Sequence, residues 1–198
     1  MNKIVAVSRQ YGSAGRIIGI NLAKKLGIHC YDSLLLDRIA EKTGFDKKFI
    51  RESGEYTASG SWLLSALAGR DYNGHSIQDE IWSVQREVII ELAEKESCVI
   101  VGRNADYFLA GKATVLSVFI HASEEARIER VINEYKEVDR NEDPRRKLRQ
   151  MDKRRRAYCQ LYTDVHWGEA GYYDICLDSS KFGIDKCVDI LADCYQAL

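Results

Sequence analysis

The chain opens with a short apolar run, Lys3-Ile4-Val5-Ala6-Val7, then passes through Ser8-Arg9-Gln10-Tyr11 into Gly12-Ser13-Ala14-Gly15-Arg16 and continues at once into a helical pattern. A strand that feeds a small-residue loop and then a helix leaves few folds open. The loop and the first helical turn aim several backbone N–H groups, and the positive helix end, at one point. That arrangement suits a phosphate. An ordinary strand-to-helix turn that needs small residues for packing is the other reading of the same stretch.

Against the phosphate-loop pattern G-x-x-x-x-G-K-[ST], Gly15 takes the second glycine and Gln10 replaces the first. Arg16 stands for the lysine, and Ile17 for the metal-binding hydroxyl. Arginine keeps the charge but turns a compact ammonium into a planar fork.

Further strands are predicted at 29–31, 98–101, 114–120 and 174–177. Most are nearly continuous apolar runs, as expected where both faces of a parallel sheet are covered. Helices fall between them, the alternation of an α/β fold. Ile18, Leu22 and Leu26 mark the first helix, which ends at Gly27. Ser33 is expected to cap a second that closes near Gly44, and a third starts at Asp46. A long helix is expected from Ser76, with Asp79 as a capping-box acid, and Ser123 caps another. Ile184, Val188 and Leu191 make the last one amphipathic. The stretch of about 65 residues before Cys98 exceeds a simple crossover and reads as an inserted lobe that includes the Gly/Ser/Tyr-rich run from Ser53 to Gly74.

The formal charge of −1 argues against a general polyanion binder. It conceals a local excess of nine Arg/Lys over three acids between Arg140 and Arg156, which leaves −7 on the rest. That segment expects an anion. After Pro144 it reads as a helix, with Arg149, Asp152, Lys153 and Arg156 near one face and Arg154 and Arg155 directed elsewhere. A solvated charged surface is the plain alternative. Without interleaved aromatics, nucleic acid is the least favoured partner.

Arg103 and Asp106 follow the strand 98–101 and would land beside the glycine turn if the two strands are neighbours. Asp32 closes a strand in the same manner, ahead of Asp37 and Arg38. The four histidines read as structural, and the tyrosines at 158, 162, 172 and 173 read as packing residues in preference to a platform for a base. The six cysteines show no C-x-x-C pair and fit free thiols in a reducing cytosol. No run approaches the roughly 20 apolar residues of a membrane span, so a cytoplasmic protein is expected.

Taken together, Ser8 to Arg16, Tyr31-Asp32, Val101-Gly102-Arg103-Asn104-Ala105-Asp106, Asp152 to Tyr158 with Tyr162-Thr163, and Tyr173 to Asp178 make the chain resemble the cytidylate kinase-like family of P-loop nucleoside monophosphate kinases. The resemblance implies a three-layer α/β/α P-loop NTPase fold with a five-stranded parallel sheet. It implies a single domain with core segments 1–32, 97–132 and 159–198, a helical acceptor-binding insertion at 33–96 and an arginine-rich lid at 133–158. By similarity, Gly12, Ser13, Ala14, Gly15, Arg16 and Ile17 line the ATP phosphate site. Arg16, Arg149, Arg154 and Arg155 supply charge to the transfer, and Asp32, Arg38, Arg103 and Asp106 position the acceptor. Asn104 stands where the family's Gly-Arg-Asp has its aspartate.

The activity implied is ATP- and Mg²⁺-dependent phosphoryl transfer to a nucleoside monophosphate, with CMP and dCMP the first candidates. Ile17 leaves the ion to water, ATP and either Asp32 or a hydroxyl such as Ser13, so its protein ligands are unassigned. The partners are small nucleotides, with neither nucleic acid nor membrane involved, and a homodimer stays open. A kinase of another small acceptor, a nucleotide-binding sensor with little turnover, and an RNA-binding protein that uses the basic segment are the rival readings.

Overall fold

The computed structural model describes residues 1–50, 77–135 and 142–198. The stretch from Ser53 to Gly74, His75, Ser76 and Arg140 lie outside the described residues. Five parallel strands, β1 (Lys3–Arg9), β2 (His29–Tyr31), β3 (Cys98–Val101), β4 (Thr114–His121) and β5 (Ile175–Asp178), lie in the order β2-β3-β1-β4-β5. This is the expected parallel sheet, and β1 holds its centre.

Helices α1 (Gly15–Leu26) and α7 (Ser179–Ala197) cover one face, where Val5, Val7, Val99, Val101, Val118 and Ile120 pack on Ile18, Leu22, Val188 and Leu191. The other face holds α2 (Ser33–Thr43), α3 (Ile77–Lys95) and α4 (Ala105–Leu109), packed on Ile4, Ala6, Cys98 and Ile100. Because successive side chains of β1 enter opposite layers and both are buried, the strand reads as an unbroken apolar run.

Beyond β4, α5 (Glu124–Arg130) is capped by the Ser123 hydroxyl, which accepts from Ala126 N–H at 3.3 Å, and continues as a π-helical turn over Val131–Tyr135. Helix α6 (Pro144–Tyr162) has Pro144 in its first turn and Asp143 as N-cap, the position that proline tolerates best. Helix α7 begins earlier than the Ile184 pattern suggests, and Gly183 breaks it at φ 76°. At α2 the N-cap is Asp32 and not Ser33, and its carboxylate makes no capping bond because it is used elsewhere. Asp79, expected as a capping acid, instead accepts the Tyr162 hydroxyl at 3.1 Å.

All six thiols are free, and Cys98, Cys159 and Cys187 are buried. Among the described residues no helix is long and apolar enough to cross a membrane.

Candidate active site

The loop after β1 leaves the sheet at its carboxyl edge, between the ends of β3 and β4. Neighbouring strand ends shape it. Gln10 continues the ladder by donating its N–H to Ile120 O at 2.9 Å, and its side-chain oxygen accepts from Ala122 N–H at 3.3 Å. This explains a glutamine where the phosphate-loop pattern has glycine.

Two glycines in the loop are required by close approach. A Cβ at Gly15 would stand 2.5 Å from Arg9 Cβ, and one at Gly12, where φ is 81°, would stand 2.9 Å from Arg127 O. Ala14 is left-handed at φ 61° and serves as N-cap of α1 with no side chain able to cap. The amides of Gly15, Arg16 and Ile17 therefore face their own end of the helix without a capping oxygen from the chain, which is what an anion site needs. Among the described residues, the three non-glycine residues at positive φ are Ala14, Arg103 and Asn104, all at the carboxyl edges of β1 and β3. Strain of this kind collects where function overrides local preference.

The loop carbonyls are held from outside. Ser179 Oγ donates to Ser13 O at 2.7 Å, and Ser13 Oγ donates to Gln10 O at 2.9 Å. Three arginines also reach loop carbonyls. Arg127 Nε meets Tyr11 O at 2.7 Å, Arg130 Nη1 meets Gly12 O at 2.6 Å, and Arg155 Nη1 meets Arg9 O at 3.0 Å. Arg155 also lies over the Tyr11 ring, 5.8 Å from its centroid. These three guanidinium groups stand behind the loop's carbonyls, while Arg16 lies exposed at its lip.

Arg16 is largely exposed and donates from Nε to Asp32 Oδ2 at 2.5 Å, which joins the loop to the end of β2. That hydrogen bond, with the adjacent negative charge, raises the Arg16 pKa further. Arg38 lies 6.0 Å from the Tyr31 ring centroid, in a groove of about 700 Å³ between α2 and α3. The Tyr31 hydroxyl donates to Glu96 at 2.5 Å, and burial, followed by that bond, pushes its pKa up to about 12.

β3 does neighbour β1, yet the side chains after it turn from the loop. Arg103 is buried, with Nη1 at 3.4 Å from Ile50 O and 3.5 Å from Gln85 Oε1, while its carbonyl accepts from Gln85 Nε2 at 3.1 Å. Asp106 is raised in pKa by burial, near Tyr173, Asp174 and Cys159. The Asn104 amide nitrogen is buried without a hydrogen-bond partner.

On α6 the structure corrects the expected faces. Leu148, Arg155, Tyr158 and Cys159 are buried, and Asp152 shares their side, where it pairs with Arg127. Arg149, Lys153 and Arg156 are exposed, with Arg149 at 3.6 Å from Glu124, while Arg154 is half-buried. Three of the four tyrosines behave as packing residues, while Tyr172 is exposed and stacks on His166. Tyr158 is buried, Tyr162 stacks on Trp82 at 4.3 Å, and Tyr173 packs on Phe119 at 5.0 Å. His29 and His166 pair with Glu96 and Glu169. Among the described residues no three His, Cys, Asp or Glu side chains form a metal-holding group.

Arg127, Arg130 and Ser179 were not singled out from the sequence, and Asp152 was read there only as part of the charged face of α6. The usable signal for the arginines was their place in the helix after β4, which starts at the same sheet edge as the loop.

This geometry agrees with what the chain is similar to. A curated cytidylate kinase from Methanosarcina mazei is 26% identical over 180 residues, spanning 91% of this chain and 92% of that protein. A crystal structure of an uncharacterized protein from Eubacterium ventriosum superposes with TM-score 0.74 at 26% identity, with both chains fully covered. A shikimate kinase from Acinetobacter baumannii, solved with shikimate, shares the fold at TM-score 0.55 and 16% identity, covering 100% of this chain and 94% of that one. With the five-stranded order, the glycine loop and the matched residues 4–181 in agreement, the chain belongs to the cytidylate kinase-like family.

Proposed function

We propose that this protein transfers the γ-phosphoryl group of ATP to a nucleoside monophosphate, with CMP and dCMP as first candidates. The observation that carries the reading is the α1 N-terminus, with Ala14 left-handed and unable to cap it, at the end of a loop whose carbonyls are held by the guanidinium groups of residues 127, 130 and 155. Phosphoryl transfer asks the protein mainly for position and positive charge. The loop amides from Gly12 to Ile17 hold the phosphates, and Arg16 exchanges its Asp32 partner for a phosphate oxygen. Arg149, Arg154 and Arg155 add charge from the proposed lid at 133–158. Asp32, Arg38, Arg103 and Asp106 belong to the acceptor side, within the lobe at 33–96 and beside it.

Mg²⁺ bound with ATP neutralises phosphate charge and fixes its geometry. The residues present fit it narrowly. The Ser13 hydroxyl is buried and donates to Gln10 O, and Ile17, partly buried against the core, offers no oxygen, so Asp32 is the carboxylate left at the loop for a water-mediated or direct contact.

Those same two features favour a second reading, a nucleotide-binding protein with little turnover. A coupled ADP-release assay across CMP, dCMP, UMP, AMP and GMP, alongside calorimetry with a non-hydrolysable ATP analogue, separates them. Turnover with a pyrimidine monophosphate is expected. Binding without turnover on any acceptor selects the second reading, and absence of binding defeats both.

A further inference from the structure

We propose that Asp152 is a positioning residue that sets the phosphate loop from the side of α6, an inference that rests on reading this loop as the ATP phosphate site. Its Oδ1 accepts the Tyr11 N–H at 2.8 Å, while its Oδ2 pairs with Arg127 Nη2. Arg127 in turn donates from Nε to Tyr11 O at 2.7 Å. Tyr11 N and Tyr11 O belong to two successive peptide groups, so one carboxylate–guanidinium pair fixes both planes that lead into Gly12 and Ser13. The direction of the following amides is thereby set before any ligand arrives.

Both charges are largely buried, with side-chain exposures of 9% for Arg127 and 13% for Asp152. Such a pair differs from a surface ion pair, because removing either member leaves the other uncompensated. The carboxylate comes from α6 and the guanidinium from α5, and Leu148, Val131 and Tyr11 pack together beside them. A shift of α6 must therefore break the bond to Tyr11 or carry the loop with it. Arg155, one turn further along α6, reinforces this by its bond to Arg9 O at 3.0 Å. Asp152 needs no contact with either substrate to act in this way.

The test compares wild type, Asp152→Asn, Arg127→Lys and the double variant. Three readouts are taken: amide hydrogen exchange of residues 10–16, affinity for a non-hydrolysable ATP analogue, and the acceptor KM. Asp152→Asn is expected to speed exchange in the loop and to weaken analogue binding about tenfold or more, with the acceptor KM unchanged. The double variant is expected to be no worse than the worse single one, as for two residues acting as a unit. Unchanged loop exchange, unchanged analogue affinity, or a rise in acceptor KM in their place overturns the proposal. If the wild type binds no ATP analogue, the proposed function falls, and exchange at residues 10–16 alone decides whether Asp152 sets the loop. Should Asp152→Asn fail to fold, Arg127→Lys carries the same readouts, since it keeps the charge and loses the fork onto Tyr11.

Discussion

Adding one methyl group at Gly15 should separate the stability of this fold from its proposed phosphate site. The new Cβ would stand 2.5 Å from Arg9 Cβ, 3.0 Å from Arg9 Cγ and 3.3 Å from Ile120 Cβ, roughly 0.9 Å short of ordinary van der Waals contact at the closest point. Arg9 Cβ is fixed to the central strand and cannot rotate away, so α1 and its first-turn amides must move. Overpacking costs about 1–3 kcal/mol, offset by up to about 1 kcal/mol of helix propensity. A net loss of about 1–2 kcal/mol lowers Tm by about 3–6 °C. A misplacement approaching 1 Å costs up to about 100-fold in rate, so Gly15→Ala is expected to lose about 10- to 100-fold in kcat/KM while remaining folded at 25 °C. Gly27→Ala is the control: it is left-handed at φ 69° with open space around it, so it should lose about 1 kcal/mol by backbone strain and keep its nucleotide affinity. Thermal melts, calorimetry with an ATP analogue and the coupled assay measure all three quantities. A Gly15→Ala protein that melts lower but binds and turns over like the wild type would refute the claim that the α1 N-terminus is the phosphate site.

Other expectations concern the supports of the site and the titration of its neighbours. Ser179→Ala removes the bond to Ser13 O and leaves a buried carbonyl without that donor, at a cost of about 1–2 kcal/mol, visible as a Tm fall of about 3–6 °C; a Tm equal to wild type counts against that contact. The Tyr31 and His29 hydrogen bonds hold the Glu96 carboxyl below its ordinary range, so its contribution is present above the unfolded pKa near 4.3 and is lost as pH falls through the lower folded value. Stability of Glu96→Gln should therefore fall less than that of wild type between about pH 5 and pH 3, by under about 1 kcal/mol for a pair so near solvent; parallel curves from chemical denaturation would show that these bonds do not favour the charged form. Burial pushes the Cys98 thiol up to about 12, so iodoacetamide at pH 8 should modify Cys98 only in denaturant, and mass spectrometry showing it labelled in the native protein would contradict that burial.

The sheet was legible in the sequence because its strands are buried on both faces. Ile4, Val5, Ala6 and Val7 could form an apolar run of that density in few other environments, and the observed strands fall within a residue or two of those expected. The loop was legible for a different reason: Gly12 and Gly15 answer steric limits set by the local backbone and its adjacent strand. Side-chain direction was not legible where it depends on how an element docks. On α6, spacing alone puts Arg149, Asp152, Lys153 and Arg156 near one face, yet the helix turns Asp152 inward with Leu148, Arg155 and Cys159 and leaves the other three exposed. The apolar pair Leu148 and Cys159 marked that face, but a run of charges drew attention away from it. Arg103 shows the same limit, since Gln85 and Ile50, distant in sequence, determine where its guanidinium goes.

The departures from the phosphate-loop pattern become intelligible as a redistribution of charge. Ile17 is partly buried and packs against the core beneath α1, so the position that elsewhere carries a hydroxyl adds packing here. Arg16 is held by Asp32 in an exposed pair, and such pairs contribute no more than about 1 kcal/mol, so a multiply charged phosphate can displace the carboxylate at little cost. The arginines at 127, 130 and 155, by contrast, are largely buried and engaged with loop carbonyls. Buried guanidinium groups are expensive to move, and here two of them are also held by carboxylates, Arg127 by Asp152 and Arg130 by Glu134 at 3.7 Å. The loop therefore combines one exposed cation at its lip, Arg16, with three fixed guanidinium groups behind its carbonyls. In such a design the loop shape depends on helices α5 and α6 as well as on its own glycines, and a substitution on either helix is expected to alter the proposed phosphate site without touching a phosphate.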